Sequence, residues 1–365
     1  MFEDVVSAAR QRRSVVVFRG RVYLSSPGLI RVITWADYSF KLYWHLLFHG
    51  RRYERLLVVS NPPLAPLLVP LAGRPYALLL YDLYPQVLSQ LQPRNPLLSL
   101  LLTLVIHLWH CANRWIFARS ERIFTLSEAM AAELRSGFAS EILWRSKVMV
   151  VPPWADNSQL RPIPAEDNPF RQRHGLDDRL LVTYSGNLGL THPLESLLQA
   201  AALLKESVQI LLIGTGPKRR ALEQLARHLE LSSQALRFLD PLPVDQLPFS
   251  SAAADLAVVA LDGPAASASL PSKTFTSLAS GTPILALAPL NSALAALVLQ
   301  HCCGVVVAPG SSAASELVAV IEGLAGDRER RSQLAAAALA ASRHYTPANA
   351  ERLVEEWLGG GRPYL

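Results

Sequence analysis

Two doubly wound α/β domains in succession are the fold this sequence predicts, and three observations predict it. Short apolar runs of strand length alternate with helical patterns through most of the 365 residues, as in mostly parallel sheets with crossover helices. The alternation breaks once, between Pro152 and Asp178, where Pro152, Pro153, Pro162, Pro164 and Pro169 lie among many polar residues. That stretch reads as an interdomain linker. The length also suits two domains of ordinary size with full cores. The expected division is 1–155, a linker over 156–178, 179–345, and a last helical segment over 346–365.

In the first half, 2–12 has a helical pattern and 14–18 (SVVVF) that of a strand. The segment 38–55 sets Tyr38, Phe40, Tyr43, Trp44, Phe48 and Tyr53 among Lys41, Arg51, Arg52 and Arg55. Strands are expected at 56–60 and 76–81, the second ending at Asp82-Leu83-Tyr84-Pro85, and two more at 122–126 and 148–151. Asp82 closes an apolar strand at its carboxyl end, the position of a reactive carboxylate or of a turn-forming Asp.

The 19 residues between Arg94 and Arg114 carry no charge and as a helix would span roughly 28 Å, near the thickness of a bilayer core. Ser99, Thr103, His107, His110 and Arg114 nevertheless draw one narrow polar stripe. The stripe favours an amphipathic helix, half in the domain and half in a membrane surface, over a uniform lipid-facing rod.

The second half alternates more regularly. Strands are expected at 180–185, 208–213, 236–239, 255–261, 283–287 and 304–307, with helical patterns including 194–205, 218–229, 335–343 and 348–358. Tyr184-Ser185-Gly186-Asn187-Leu188-Gly189 follows the first of these strands, and Ile213-Gly214-Thr215-Gly216-Pro217 the second. Glycine at a strand-to-helix turn lets backbone approach a ligand. Neither is the dinucleotide GxGxxG fingerprint. Pro271-Ser272 reads as a helix start, Gly281 as its stop. Lys273 in that first turn opposes the helix dipole, which favours an anion there. The three features share the carboxyl edge of one predicted sheet, where α/β sheets bind ligands.

Composition narrows the class. With 50% hydrophobic and 18% charged residues, the chain is not disordered. Residues 1–150 hold 18 Lys/Arg against 9 Asp/Glu, net +9, and the remainder 17 against 20, net −3. The basic half, with its apolar and aromatic stretches and no base-stacking or DNA-reading element, points to anionic lipid rather than nucleic acid. Met1–Arg13 lacks the apolar core of a signal peptide. Cys111, Cys302 and Cys303 make no disulfide framework, which fits a reducing compartment. His45/His49 and His107/His110 lack a third ligand, so no metal site is expected.

Taken together, Asp82–Pro85, Thr125–Met130, Val151–Asp156, Tyr184–Gly189, Gly214–Pro217 and Pro271–Pro283 resemble, in that order, the GT-B glycosyltransferases. The resemblance is to retaining family 4, in the branch that builds bacterial capsular, colanic-acid-like and exopolysaccharide repeat units. It implies two Rossmann-like domains facing across a cleft, with the last helix crossing back to the first. It also implies transfer of a sugar from a UDP- or GDP-linked donor, with retention and without metal or other cofactor. The acceptor would be lipid-linked, at the inner face of the plasma membrane. Catalytic roles fall to Asp82 and Lys273. Gly186, Asn187 and Gly189 would admit the diphosphate, with Gly214 and Gly216 near the nucleoside and Leu239 and Asp240 at the base. Pro271, Ser272, Lys273 and Thr274 would hold the leaving diphosphate, with Ser127 and Glu128 on the acceptor side.

The chain also departs from the family pattern. Two glutamates common around the helix at Lys273 are here Ala268 and Thr276, the second at the ribose position, and an Arg and a Lys after the first strand of the second domain are here Asn187 and His192. The family's first strand and glycine-rich loop have no counterpart before residues 2–18. Their absence is expected to leave apolar neighbours unpaired and part of the acceptor site unbuilt. Two rival readings are a non-catalytic member that binds a nucleotide or partner enzyme, and a nucleotide-sugar 2-epimerase.

Overall fold

The structure, a computed structural model, describes residues 1–19, 28–85, 95–138, 140–263, 266 and 269–359. Ala268 and Arg94, named above, lie outside them. The chain divides into two compact units, one of residues 1–152 with 348–365, the other of 153–347.

The first unit contains α1 (Phe2–Arg10), α2 (Gly28–His49), β1 (Leu56–Val59), α3 (Ala65–Leu68) and β2 (Tyr76–Leu80). It continues through α4 (Pro96–Arg119), β3 (Arg122–Thr125), α5 (Glu128–Leu134), α6 (Glu141–Lys147) and β4 (Val148–Val150). Its sheet is wholly parallel in the order β1-β2-β3-β4, with Leu56 opposite Tyr76, Ala77 opposite Arg122 and Ile123 opposite Val148. β2 is buried at every position, as an unbroken apolar run between two helical layers must be.

The segment 14–18 is not the strand its β-branched run predicts. It belongs to no helix or strand and makes no backbone hydrogen bond to another described residue. A strand needs a neighbour, and among the described residues β1 pairs only with β2. A cavity of about 1200 Å³ lies where such a neighbour would be, lined by 14–18, β1 and faces of α1 and α2.

The second unit contains α7 (Pro169–His174), β5 (Leu180–Ser185), α8 (Glu195–Ala201), β6 (Val208–Ile213), α9 (Arg219–His228), β7 (Leu236–Leu239) and α10 (Leu247–Ala252). After these come β8 (Leu256–Ala260), α11 (Ser272–Ala279), β9 (Ile284–Leu287), α12 (Ala293–Gln300), β10 (Gly304–Val307), α13 (Ala313–Gly326) and α14 (Arg328–Ser342). The parallel sheet has the order β10-β9-β8-β5-β6-β7. The winding reverses between β5 and β8, the switch point at which doubly wound sheets open a crevice. One core, around Tyr184, Leu197 and Leu317, seats α8, α9 and α13. The other, around Phe275, Leu278 and Val298, seats α11, α12 and α14.

Residues 156–178 are not a free linker. Asn168 is buried and caps α7 by accepting from the Phe170 amide at 2.9 Å, and Phe170 enters the core. Buried Arg171 lies 3.5 Å from Asp255 and donates to the carbonyls of Ala253 and Asp177. The proline at 169 is a helix start behind an Asn cap rather than a loop signal.

α15 (Ala348–Gly359) leaves the second unit and packs in the first against α1. Leu353 and Val354 are fully buried there, Arg12 pairs with Glu355 at 2.6 Å, and Arg55 donates to the Trp357 carbonyl at 2.9 Å.

Candidate functional site

The carboxyl edge of the second sheet gathers most of the residues singled out in the sequence. The loops after β5 and β6 are joined by backbone hydrogen bonds, from Gly186 to Ile213 at 2.9 Å, Leu188 to Thr215 at 2.8 Å and Lys218 to Leu188 at 3.1 Å. Gly214 donates in turn to Leu239 at 2.9 Å, which extends the ladder to the end of β7. The glycines permit this close stacking. Gly214 has φ 134°, and a Cβ there would collide with the Gly186 carbonyl. Gly216 has φ 153°, and a Cβ there would lie 2.6 Å from the Leu188 carbonyl. Both shape the loops against each other as well as the edge they form.

Lys273, in the first turn of α11, reaches over this edge. Its Nζ stands 3.5 Å from the centroid of the Tyr184 ring, and a Cβ on Gly186 (φ 131°) would lie 3.1 Å from it. The Nζ is shut off from solvent and has no hydrogen-bond partner among the described residues. Burial alone pulls its pKa down from 10.5 to about 7. α11 begins at Pro271 without a side-chain cap. The Thr274 amide already donates to the Pro271 carbonyl, so among the described residues the amides left open are at 272 and 273. Thr274 is fully buried with its hydroxyl unpartnered, Thr276 is half-buried, and Gly281 closes the helix at φ 67°.

Several supporting residues escaped the sequence reading. Fully buried Tyr184 donates its hydroxyl to the Asn187 carbonyl at 2.6 Å and lies 2.7 Å from His192 Nδ1. Its ring is thereby fixed under the ammonium. Burial lowers the pKa of His192, and the charges of Lys273 and Lys218 push the same way. Lys218 donates to the His192 carbonyl at 2.9 Å and pairs with Glu195 at 2.8 Å. Arg219 donates to the carbonyls of Gly214 at 2.7 Å and Leu239 at 2.9 Å. It thus holds two strand ends together, while Asp240 beside it is almost wholly exposed. The available signal was the pair of basic residues Lys218-Arg219 at a helix start, where the dipole disfavours them.

The remaining candidates lie in the first unit. Asp82 follows β2, with its amide directed at the Ser60 hydroxyl at 3.3 Å. Its side chain keeps contact with solvent, yet the desolvating surroundings raise its carboxyl pKa. Ser127, after β3, caps α5 by accepting from the Met130 amide at 3.2 Å, and Glu128 is exposed at the first helical position. Among the described residues no group of three or more His, Cys, Asp or Glu could hold a metal.

The family model for glycosyl transferases group 1 matches residues 166–340. A probable glycosyltransferase, WbjE of Pseudomonas aeruginosa, is 26% identical over 269 residues, 72% of this chain and 63% of that protein. The chain therefore spans less than two thirds of that relative. Among solved structures, Anabaena HepE in complex with UDP-glucose aligns with a TM-score of 0.67 at 17% identity, over 93% of this chain and 85% of that one. WaaG, a glycosyltransferase involved in lipopolysaccharide biosynthesis, aligns with a TM-score of 0.69 at 17% identity, over 98% and 95%. The chain has the GT-B fold, two Rossmann-like units with parallel sheets, and the stretch similar to the glycosyl transferases group 1 model lies within its second unit.

Proposed function

We propose that the protein is a retaining glycosyltransferase of family 4 that moves a sugar from a UDP- or GDP-linked donor to a lipid-linked acceptor. Its place would be surface polysaccharide assembly, peripheral on the cytoplasmic face of the plasma membrane. The observation that carries the donor half is the buried, unpartnered ammonium of Lys273 beside Gly186 at the switch point. An ammonium without water or counter-ion is costly, and an anion arriving there offsets the cost. A nucleoside diphosphate suits the spot. Its charge grows as the sugar departs, and a lysine with two open helix amides stabilises that charge without a metal.

In this reading Gly186, Asn187 and Gly189 border the diphosphate, Gly214 and Gly216 the nucleoside, and Leu239 and Asp240 the base. Thr276 takes the ribose. Asp82, its carboxyl made more basic by desolvation, is the acceptor-side base, with Ser127 and Glu128 nearby in the same sheet edge. Support for the retaining, lipid-directed chemistry is the motif order along the chain.

Two observations favour a non-catalytic nucleotide-binding protein instead: the 14–18 segment, without a backbone partner among the described residues, and the large cavity in the first unit. A thermal-shift titration with UDP, GDP and dTDP, on wild type and Lys273→Ala, tests the donor half. Ligand at a hundredfold excess over its dissociation constant adds about 2.7 kcal/mol of stability. One nucleotide should shift the wild type and leave Lys273→Ala unmoved. No shift with any of them refutes the reading. Asp82→Asn then separates the two functions, since it should bind nucleotide but not transfer sugar.

A further inference from the structure

Helix α4 presents three faces. Leu102, Ile106, Trp109, Asn113 and Ile116 turn towards the first unit, with Trp109 stacked on Tyr84 at 5.8 Å and Asn113 donating to the Tyr84 carbonyl at 2.6 Å. Ser99, Thr103, His107, His110 and Arg114 form the polar stripe. The third face holds Leu97, Leu101, Leu104 and Leu108, each more than half exposed. The helix is long and apolar enough to cross a membrane, yet almost none of its apolar window is covered by the protein. Helix α2, which packs with α4 on α3, adds an exposed aromatic row. Phe40 and Phe48 are each about two-thirds exposed, and Trp44 stacks on Phe48 at 5.5 Å. Apolar area of this extent on a soluble unit marks an interaction surface.

We propose that α4 and the aromatic row of α2 seat the first unit on an anionic bilayer, with α4 lying in the plane of the interface rather than crossing it. Chain topology excludes the crossing. β2 and β3 are hydrogen-bonded neighbours, so the chain leaves and re-enters on the same side. Tyr84 lies against Asn113, in the half of α4 anchored to the unit. A spanning α4 would carry Asn95 to the far side, and only residues 85–94 would remain to bring the chain there. A helical crossing needs about 20 residues, and non-helical backbone does not cross lipid.

Charge selects the lipid. Residues 1–150 carry 18 Lys/Arg against 9 Asp/Glu, and exposed Arg51, Arg52 and Arg114 adjoin the apolar faces. An apolar face flanked by such cations is the pattern of an interfacial helix on anionic lipid. The inference rests on the membrane-peripheral placement proposed above but not on the sugar chemistry, and its test uses no nucleotide, so its failure leaves the donor-binding reading standing.

Flotation of the full chain with vesicles of phosphatidylcholine, with and without phosphatidylglycerol, is the experiment. Binding should require phosphatidylglycerol. It should weaken by about tenfold for each of Leu101→Glu and Leu104→Glu, the loss of one leucine's burial. The polar-stripe variant Ser99→Gln should float like wild type. In a cysteine-free background, a fluorophore on Leu97→Cys should be quenched more by shallow than by deep spin-labelled lipid. Flotation unaffected by the leucine variants overturns the proposal, and so does modification of Leu97→Cys by an impermeant reagent trapped inside the vesicles. Failure to float, together with a lipid-free dimer that the leucine variants dissociate, would assign the face to a second copy instead.

Discussion

At the residue scale the chemistry converges on Lys273, whose charge is set by the ring and glycine around it. Because burial holds its pKa at about 7, a diphosphate that prefers the ammonium must draw in a proton on binding at higher pH. Nucleotide affinity should therefore fall by about tenfold per pH unit above pH 7, until the pKa of the bound state is reached. Isothermal titration across pH would show this, and Lys273→Met should lack it. Stability carries the opposite sign. Between pH 7 and 10.5 the unfolded chain holds more protons at this lysine than the folded one, so folding gains as pH rises. The stability advantage of Lys273→Met should be constant below pH 7 and shrink above it in denaturant titrations. Tyr184→Phe keeps the ring but loses the bond to the Asn187 carbonyl, at a cost of about 1 kcal/mol. It should weaken nucleotide binding less than Tyr184→Leu, which removes the face under the ammonium.

At the scale of elements, the loops after β5, β6 and β7 act as one unit. Gly214→Ala places a Cβ against the Gly186 carbonyl at φ 134°. The neighbouring ladder leaves that carbonyl no room to retreat, so the cost should exceed about 3 kcal/mol, visible as a lowered urea midpoint. Helix α15 is the corresponding element of the first unit. Leu353→Ala opens a cavity beside α1 and should cost about 2–5 kcal/mol. That loss should appear in hydrogen exchange of α1 and α15, with nucleotide binding in the second unit preserved.

Across the whole molecule, the two units carry different physical signatures. The second has a six-stranded sheet packed between hydrophobic cores, and each of its sequence-expected strands is present. The first has a four-stranded sheet, a segment at 14–18 without a backbone partner among the described residues beside a large cavity, and the exposed helices. Nucleotide should accordingly protect amides at 186–189, 214–219 and 272–276 and leave β1 and α4 unchanged. Hydrogen-exchange mass spectrometry would read this directly.

The sequence by itself determined what depends on local pattern. Apolar runs bounded by glycine and polar turns marked β5, β6 and β7 at their observed limits, and the Gly186–Gly189, Gly214–Gly216 and Lys273 motifs stood out because strand ends and helix starts have strict backbone requirements. Only the tertiary structure decided what depends on neighbours. The apolar run at 14–18 could not become a strand without a partner. The prolines before α7 began a helix because Phe170 and Arg171 had a core and a carboxylate to meet. Tyr184 became the seat of Lys273 because β5 and α11 come together at the switch point, nearly ninety residues apart in sequence. An amphipathic pattern allowed α4 either orientation, and the pairing of β2 with β3 is the ground on which we propose that it lies in the interface. Periodicity records the conformation each residue prefers, whereas burial, charge pairing and direction through a membrane are properties of pairs that the chain brings together only on folding.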